Sequence, residues 1–126
     1  MTTVLLVDDD PLQAFVRTSL LRRHFNDVER AADVAEAFIL VEEREFADRL
    51  ALVVVGLNRP GLGSPAFVAE LISRLPSVPV LVLGSDNDKV GSYAGVHVSF
   101  LPQNTPSEQM LAESRHLIEY GRARVA

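Results

Sequence analysis

The chain has 126 residues, of which 48% are hydrophobic and 23% charged, with a formal net charge of −5 and no cysteine. A chain of this length and balance has room for one compact domain with a hydrophobic core, so we expect residues 1–126 to form a single domain. The lack of cysteine excludes disulfides, thiolate metal sites and cysteine nucleophiles, and the negative charge argues against direct binding of nucleic acid.

The N-terminal segment predicts neither a secretion signal nor a membrane span. Met1-Thr2-Thr3 leads directly into a strand-like run, without the basic start and apolar stretch of a signal peptide. The longest apolar run, Leu50–Leu57, is far shorter than the roughly 20 residues that cross a bilayer. We therefore expect a cytoplasmic protein that does not contact a membrane.

Short apolar strands alternate along the chain with helical patterns. The strand-like runs are nearly continuous and rich in valine, which is typical of parallel strands covered on both faces. Strands that alternate with helices predict right-handed crossovers and a doubly wound parallel sheet with helices on both faces. The runs are Val4–Val7, Val28–Ala31 (a poorer strand suited to a sheet edge), Ala51–Val55, Val78–Leu83 and Val96–Leu101.

Capping residues mark four helix starts, each followed by apolar residues at helical spacing. Three of the four caps directly precede a proline at the first helical position. The caps are Asp10, Asp33, Ser64 and Thr105. The apolar stripes, which we expect to face the core, are Leu12, Phe15, Val16 and Leu20; Val34, Ala37, Phe38 and Val41; Val68, Leu71, Ile72 and Leu75; and Met110, Leu111, Ser114, Leu117 and Ile118.

The residues that follow the strands are the candidates for a functional site. Open α/β sheets bind ligands beyond the carboxyl ends of their strands, where the strand order reverses. The segments at those ends are Asp8-Asp9-Asp10, Gly56-Leu57-Asn58-Arg59-Pro60-Gly61, Gly84-Ser85 and Leu101-Pro102.

This layout resembles the receiver domain of bacterial two-component (phosphorelay) signalling over essentially the whole chain. The segments that carry the resemblance are Val4–Pro11, Leu57–Gly61 and Leu101-Pro102. The resemblance implies a flavodoxin-like sheet of five strands in the order 2-1-3-4-5. It also implies a site in which an aspartate ending the third strand accepts phosphate from a histidine kinase.

The resemblance implies further site residues, only some of which this chain retains. Asp8 and Asp9 match the acidic pair that holds Mg²⁺, and Asn58 matches the residue whose backbone carbonyl helps to hold it. Gly56 stands at the phosphoacceptor position. Because glycine has no side chain, no acyl phosphate can form there.

Other functional positions of the resembled family are also lost. Gly84 stands where the family has Thr or Ser, Leu101 stands where it has Lys, and Val98 stands at an aromatic position. The single lysine of the chain, Lys89, lies on a different segment. The stretch from Gly84 to Leu101 is shorter than in the family, which implies a shortened helix between the fourth and fifth strands.

Three interpretations of the acidic run remain open. Hard cations bind carboxylate oxygens, so Asp8, Asp9 and Asn58 could hold Mg²⁺, weakly because one carboxylate ligand is missing. Alternatively, Asp10 caps the first helix while the other two acids form a solvated pocket. A third hypothesis is that Arg59 folds back and neutralises Asp8 or Asp9 in place of a cation. We expect no cofactor beyond such weak Mg²⁺.

We therefore expect a non-enzymatic receiver-like domain that works independently of phosphorylation. Its partners would be a signalling protein, an output domain or a second copy of the chain in a homodimer. Two alternatives stay open: a sensor of a small ligand or nucleotide in the emptied pocket, and a receiver with residual Mg²⁺-dependent phosphorylation at an unconventional acceptor. We expect Gly56→Asp to restore Mg²⁺ binding better than it restores stable phosphorylation.

Overall fold

A computed structural model of the chain describes residues 2–56, 64–84 and 98–125, and the side chains of these ranges except those of Ser64 and residues 120–125. Strands and helices alternate over most of this part of the chain. The strands are β1 (Thr3–Asp8), β2 (Asp27–Ala31), β3 (Leu50–Gly56), β4 (Val80–Gly84) and β5 (Val98–Pro102). The helices are α1 (Pro11–Arg22), α2 (Val34–Glu42), α3 (Arg44–Arg49), α4 (Ser64–Arg74) and α5 (Ser107–Val125).

The five strands form one parallel sheet in the order β2-β1-β3-β4-β5. This confirms the predicted doubly wound, flavodoxin-like architecture, including the edge position of β2. The register sets Asp8, at the end of β1, directly beside Gly56, at the end of β3. Gly84 and Pro102 are paired in the same way at the ends of β4 and β5. The described residues of the four predicted strand-end segments therefore lie at the same edge of the sheet.

Both faces of the sheet are covered, which explains why the strands are apolar at successive positions. Side chains alternate between the two faces of a strand, so a strand covered on both sides needs hydrophobic residues throughout. In β1, Leu5 and Val7 join the core beneath α2, α3 and α4, whereas Val4 and Leu6 join the core beneath α1 and α5. All four are inaccessible to solvent.

At two of the four predicted helix starts, the predicted capping side chain accepts hydrogen bonds from amides of the first turn. The Asp10 carboxylate accepts hydrogen bonds from the amides of Leu12 and Gln13, at 2.9 and 3.2 Å. The Asp33 carboxylate likewise accepts from the Glu36 amide at 2.8 Å. These side chains satisfy amides that the first turn of a helix leaves without a partner.

The other two caps differ from these. Helix α4 begins at Ser64, whose side chain lies outside the described residues. Thr105 does not cap α5, because that helix begins two residues later, at Ser107. The Thr105 hydroxyl instead donates to the carbonyl of Pro102 at 2.6 Å, and the Thr105 amide donates to the same oxygen. Thr105 therefore closes the turn that follows β5.

The first helix departs most from the prediction. Its apolar stripe was expected to face the core, but Leu12, Phe15 and Val16 are 73%, 71% and 52% exposed. The buried positions of α1 are Ala14, Arg17 and Leu21. Helix α1 therefore turns a smaller face towards the sheet, and that face contains an arginine.

Two further comparisons concern the helices. Helix α3 was not predicted as a separate helix, and it follows α2 after a break at Glu43 and buries Phe46. The shortened helix predicted between the fourth and fifth strands lies outside the described residues. None of the helices in the described ranges is both long enough and apolar enough to cross a membrane.

Candidate functional site

The site is centred on Asp8, the last residue of β1, which is completely buried. One carboxylate oxygen, Oδ1, accepts the Asp10 amide at 3.0 Å. The other, Oδ2, accepts Nη1 of Arg17 at 2.7 Å in a buried ion pair. The backbone carbonyl of Asp8 accepts two bonds from Arg30, at 2.9 and 3.2 Å. Elements β1, β2 and α1 therefore all contribute to holding this residue.

Arg17 reaches the site from α1, and its side chain is only 10% exposed. Asp10 fixes the start of the helix next to the end of β1, and Arg17 lies about two turns further along on the inward face. While Nη1 binds Asp8, Nη2 donates to the backbone carbonyl of Gln103 in a longer contact of 3.4 Å. The guanidinium thus bridges the end of β1 and the segment that follows β5.

Gly56 leaves the room that the guanidinium occupies. A Cβ atom built on Gly56 would lie 2.5 Å from Nη1 of Arg17 and 3.3 Å from Oδ2 of Asp8. The first distance is closer than carbon and nitrogen can approach without displacement. Any side chain at this position would therefore have to share its space with the charged end of Arg17.

Burial dominates the electrostatics of the site. It raises the pKa of the Asp8 carboxyl, an effect that the hydrogen bonds from the Asp10 amide and from Arg17 oppose. The neighbouring charge of Asp9 raises the pKa further. The carboxylate of Asp8 is therefore costly to keep ionised, and the guanidinium of Arg17 supplies the nearest compensating charge.

The described residues do not fit a Mg²⁺ site. Mg²⁺ requires near-octahedral coordination by oxygen atoms, and it usually binds one or two carboxylates together with water or phosphate. Here Oδ2 of Asp8 is bound to a guanidinium that already carries the positive charge. Within residues 2–56, 64–84 and 98–125, no three acidic, histidine or cysteine side chains converge on one point. Asn58, predicted to assist, lies outside the described residues.

The remaining predicted positions carry no polar side chain that could contact a phosphoryl oxygen. Gly84 is buried at the end of β4, and its carbonyl accepts the Gln103 amide at 2.6 Å. Leu101 pairs with Leu83 and packs against the core beneath α1 and α5. Val98 packs against the opposite core. Position 101 thus serves the hydrophobic core.

Arg17 was not among the predicted site residues. The cation expected to neutralise the acidic run was Arg59, which lies outside the described residues. A weaker signal was present in the sequence: Ala14, Arg17 and Leu21 have the spacing of one helical face, which includes an arginine after the cap at Asp10. The more hydrophobic stripe beginning at Leu12 obscured that face.

The chain resembles known proteins at low sequence identity. No protein-family model matches the chain. The chain is 26% identical over 115 residues to a curated protein, the glycerol metabolism activator of Pseudomonas putida. The match covers 87% of this chain and 51% of that protein, so the chain spans about half the length of this relative.

The similar solved structures include several receiver domains. They include the signal receiver domain of an HD domain-containing protein from Pseudomonas fluorescens (20% identity, 97% of this chain and 98% of that chain, TM-score 0.83). A response regulator receiver domain protein from Clostridium thermocellum has a TM-score of 0.84 at 16% identity, with 98% of each chain covered. The chemotaxis response regulator of Vibrio cholerae has a TM-score of 0.77 at 23% identity, with 93% and 98% covered. The chain has the fold of a response regulator receiver domain.

Proposed function

We propose that the chain is a receiver-like domain of bacterial two-component signalling that works in the cytoplasm without being phosphorylated and acts through protein–protein contact. The observation that carries this proposal is the ion pair between Arg17 and Asp8 beside Gly56. In this arrangement a permanent cation of the chain itself lies beside the acid and in the space that a phosphoacceptor side chain would need.

Phosphoryl transfer depends on positioned groups, because catalysis comes almost entirely from geometry and from neutralising charge. This site lacks a carboxylate at Gly56, a hydroxyl at Gly84 and an ammonium at Leu101. The loss of any one group would weaken the reaction, and the loss of all three removes the nucleophile together with its assisting groups. The fold remains available for binding a partner.

The geometry also weighs against the two alternatives. A small-ligand sensor would need open space above Asp8 and Gly56, but the guanidinium of Arg17 lies there. An unconventional acceptor at Asp8 would need a free carboxylate, but both oxygens of Asp8 accept hydrogen bonds. The proposal therefore assigns no enzymatic activity to the chain and no resident cofactor.

The comparison with the Pseudomonas putida activator supports the part of the proposal that concerns partners. That protein is longer than the matched region, which covers 51% of it. A receiver-like domain of this kind would act on an output domain or a separate signalling protein, with occupancy of its surface replacing phosphate as the signal.

The test is exposure of the chain to acetyl phosphate and Mg²⁺, followed by intact-mass measurement. We expect no phosphoryl adduct on the wild-type chain, whereas a receiver domain with a complete site, run in parallel, acquires one. An adduct on the wild-type chain that disappears in Asp8→Asn would overturn the proposal in favour of an unconventional acceptor. Thermal stabilisation of the wild-type chain by a nucleotide would overturn it in favour of a ligand sensor.

A further inference from the structure

A groove with a volume of about 310 Å³ runs along α1 where the helix packs against β2. The helix residues that line it recur every three or four positions, so they form one face of α1 from its first turn to its last. One residue of β2 completes the lining. The lining residues are Pro11, Ala14, Phe15, Thr18, Ser19, Arg22 and Arg30. The volume falls at the lower end of the range for small-molecule sites, about 300–1,000 Å³.

The two charged side chains of the lining are anchored at opposite ends of the groove. Arg30 donates to the carbonyl of Asp8, at the end of β1, at 2.9 and 3.2 Å. Arg22, in the last turn of α1, donates to the carbonyl of Val28 at 3.1 Å. Val28 pairs with Val4, four residues before Asp8 on β1. The two anchoring carbonyls are therefore about 13 Å apart along the strands.

The lining between the two guanidinium groups is uncharged. Ala14 and Phe15 are apolar, and Thr18 and Ser19 carry hydroxyl groups. Helix α1 has no acidic residue anywhere along its length. A molecule that fits this groove therefore needs an anionic group at each end and an uncharged, largely apolar middle.

No carboxylate within the described ranges forms an ion pair with either groove arginine. Their anchoring bonds go to neutral backbone carbonyls. The acidic run Asp8–Asp10 is not part of the lining. Side chains alternate along β2, so Glu29 points to the opposite face of the sheet from Arg30. A chain with a net charge of −5 thus presents a local cationic surface here.

Each guanidinium has N–H groups beyond those that anchor it. A guanidinium carries five N–H donors. Arg30 uses Nε and one N–H of Nη2 on Asp8, so Nη1 and the second N–H of Nη2 remain as a planar fork. Arg22 uses only one N–H of Nη2. Such forks bind a carboxylate through two parallel, charge-assisted hydrogen bonds, and their fixed geometry reduces the entropy lost on binding.

We propose that the groove between α1 and β2 binds a small linear dicarboxylate, in which an apolar chain joins the two carboxylates. One carboxylate would pair with Arg30 and the other with Arg22, while the chain would lie along Phe15. The proposal goes beyond the proposed function, because it adds a ligand site whose lining contains neither Gly56 nor Arg17.

The test is an NMR titration of the full ¹⁵N-labelled chain with succinate, adipate, suberate and sebacate. We expect shifts in the amide resonances of α1 and β2, with the highest affinity for adipate or suberate. Succinate is too short to reach both guanidinium groups, and sebacate has to bend. Monomethyl suberate has the same chain with one carboxylate esterified. It should bind about tenfold more weakly than suberate, because it loses one charge-assisted pair.

Variants at the two ends locate the site. Arg22→Gln and Arg30→Gln should each lower the affinity for suberate to that of monomethyl suberate, because one guanidinium remains. Arg23→Gln is the matched control: it removes the next arginine along the chain, which is exposed and does not line the groove. It should change the affinity by less than about twofold, because a solvated charge is screened. Arg22 is itself exposed, so its variant keeps the fold even where the loss of Arg30 from Asp8 destabilises the sheet.

Three outcomes would overturn this proposal. The first is the absence of shifts in α1 and β2 with every dicarboxylate at millimolar concentration. The second is equal affinity for suberate and monomethyl suberate, which would identify contact with a single anion. The third is an unchanged affinity for suberate in Arg22→Gln. None of the ligands is a nucleotide or a phosphodonor, so these results are independent of the tests of the proposed function.

Discussion

The two faces of α1 contrast in a way that reverses the usual arrangement of a surface helix. The inward face contains Arg17, buried against the sheet, whereas the outward face exposes Leu12 and Phe15. Surface helices ordinarily bury their apolar stripe and keep their charges in water. The contrast shows that the ion pair between Arg17 and Asp8 at the end of β1, more than the hydrophobicity of α1, determines which face of this helix turns inward.

The largest expected effect comes from breaking the inward face. Arg17→Met keeps an unbranched apolar side chain but removes the guanidinium, which leaves the Asp8 carboxylate buried without its cation. Removing one partner of a buried pair leaves an uncompensated charge, so we expect the free energy of unfolding at neutral pH to fall by about 3–5 kcal/mol. Urea denaturation of the wild type and the variant measures this loss.

The pH dependence of that loss tests its cause. Burial raises the pKa of Asp8 in the folded chain. Protonation of Asp8 therefore contributes fully to the free energy of unfolding below the unfolded pKa of about 3.9, and this contribution disappears as pH rises through the pKa of the folded chain. Without Arg17 the folded pKa rises further. The loss of stability caused by Arg17→Met should therefore shrink as pH falls. Arg17→Met should also cost less in the Asp8→Asn background than in the wild-type chain. A loss independent of pH would contradict this explanation.

A smaller effect is expected from filling the space beside the pair. Gly56→Ala adds a Cβ at 2.5 Å from Nη1 of Arg17, so the guanidinium must move away from its best position on Asp8. We expect a loss of about 1–2 kcal/mol in urea denaturation, within the range for overpacking a buried site. In the Arg17→Met background the same substitution should cost about 0.5 kcal/mol or less, because the colliding group is gone. Additive costs would show that the two positions are not coupled.

Metal binding should require substitutions at both Gly56 and Arg17. Gly56→Asp alone adds a carboxylate where Arg17 already provides the positive charge, so we now expect little stabilisation by Mg²⁺, in revision of the expectation from sequence. Gly56→Asp/Arg17→Met should gain about 1 kcal/mol when Mg²⁺ is several times its Kd. Thermal unfolding with Mg²⁺ or with EDTA measures the gain. Equal stabilisation of the single and double variants would mean that Arg17 does not compete with the metal.

The smallest effect on stability is expected on the outward face. Phe15→Ser removes a side chain that is 71% exposed, so the free energy of unfolding should change by no more than about 0.5 kcal/mol. Leu21→Ala, in the same helix but fully buried, is the matched control and should cost about 2–5 kcal/mol. Comparable losses at the two positions would show that Phe15 packs against the domain after all.

Much of the scaffold was predictable from local patterns. Continuous valine-rich strands such as β3 occur where both faces of a sheet are covered, and their alternation with helices restricts the topology to parallel crossovers. The caps at Asp10 and Asp33 depend on side-chain bonds to amides within three residues, so they are visible in the sequence itself. The strand order, by contrast, came from the resemblance to receiver domains, and the structure confirms it.

The sequence alone also determined that these strand ends carry no carboxylate at position 56, no hydroxyl at position 84 and no ammonium at position 101, because glycine and leucine lack such groups in any conformation. Only the tertiary structure decided what takes their place. The pairing of β1 with β3 brings Asp8 beside Gly56, and the packing of α1 brings Arg17 onto both. A buried ion pair depends on distances between separate elements and on the desolvation of its charges, which periodicity along one helix does not report. For the same reason the sequence showed the apolar stripe of α1 but not the direction in which it points.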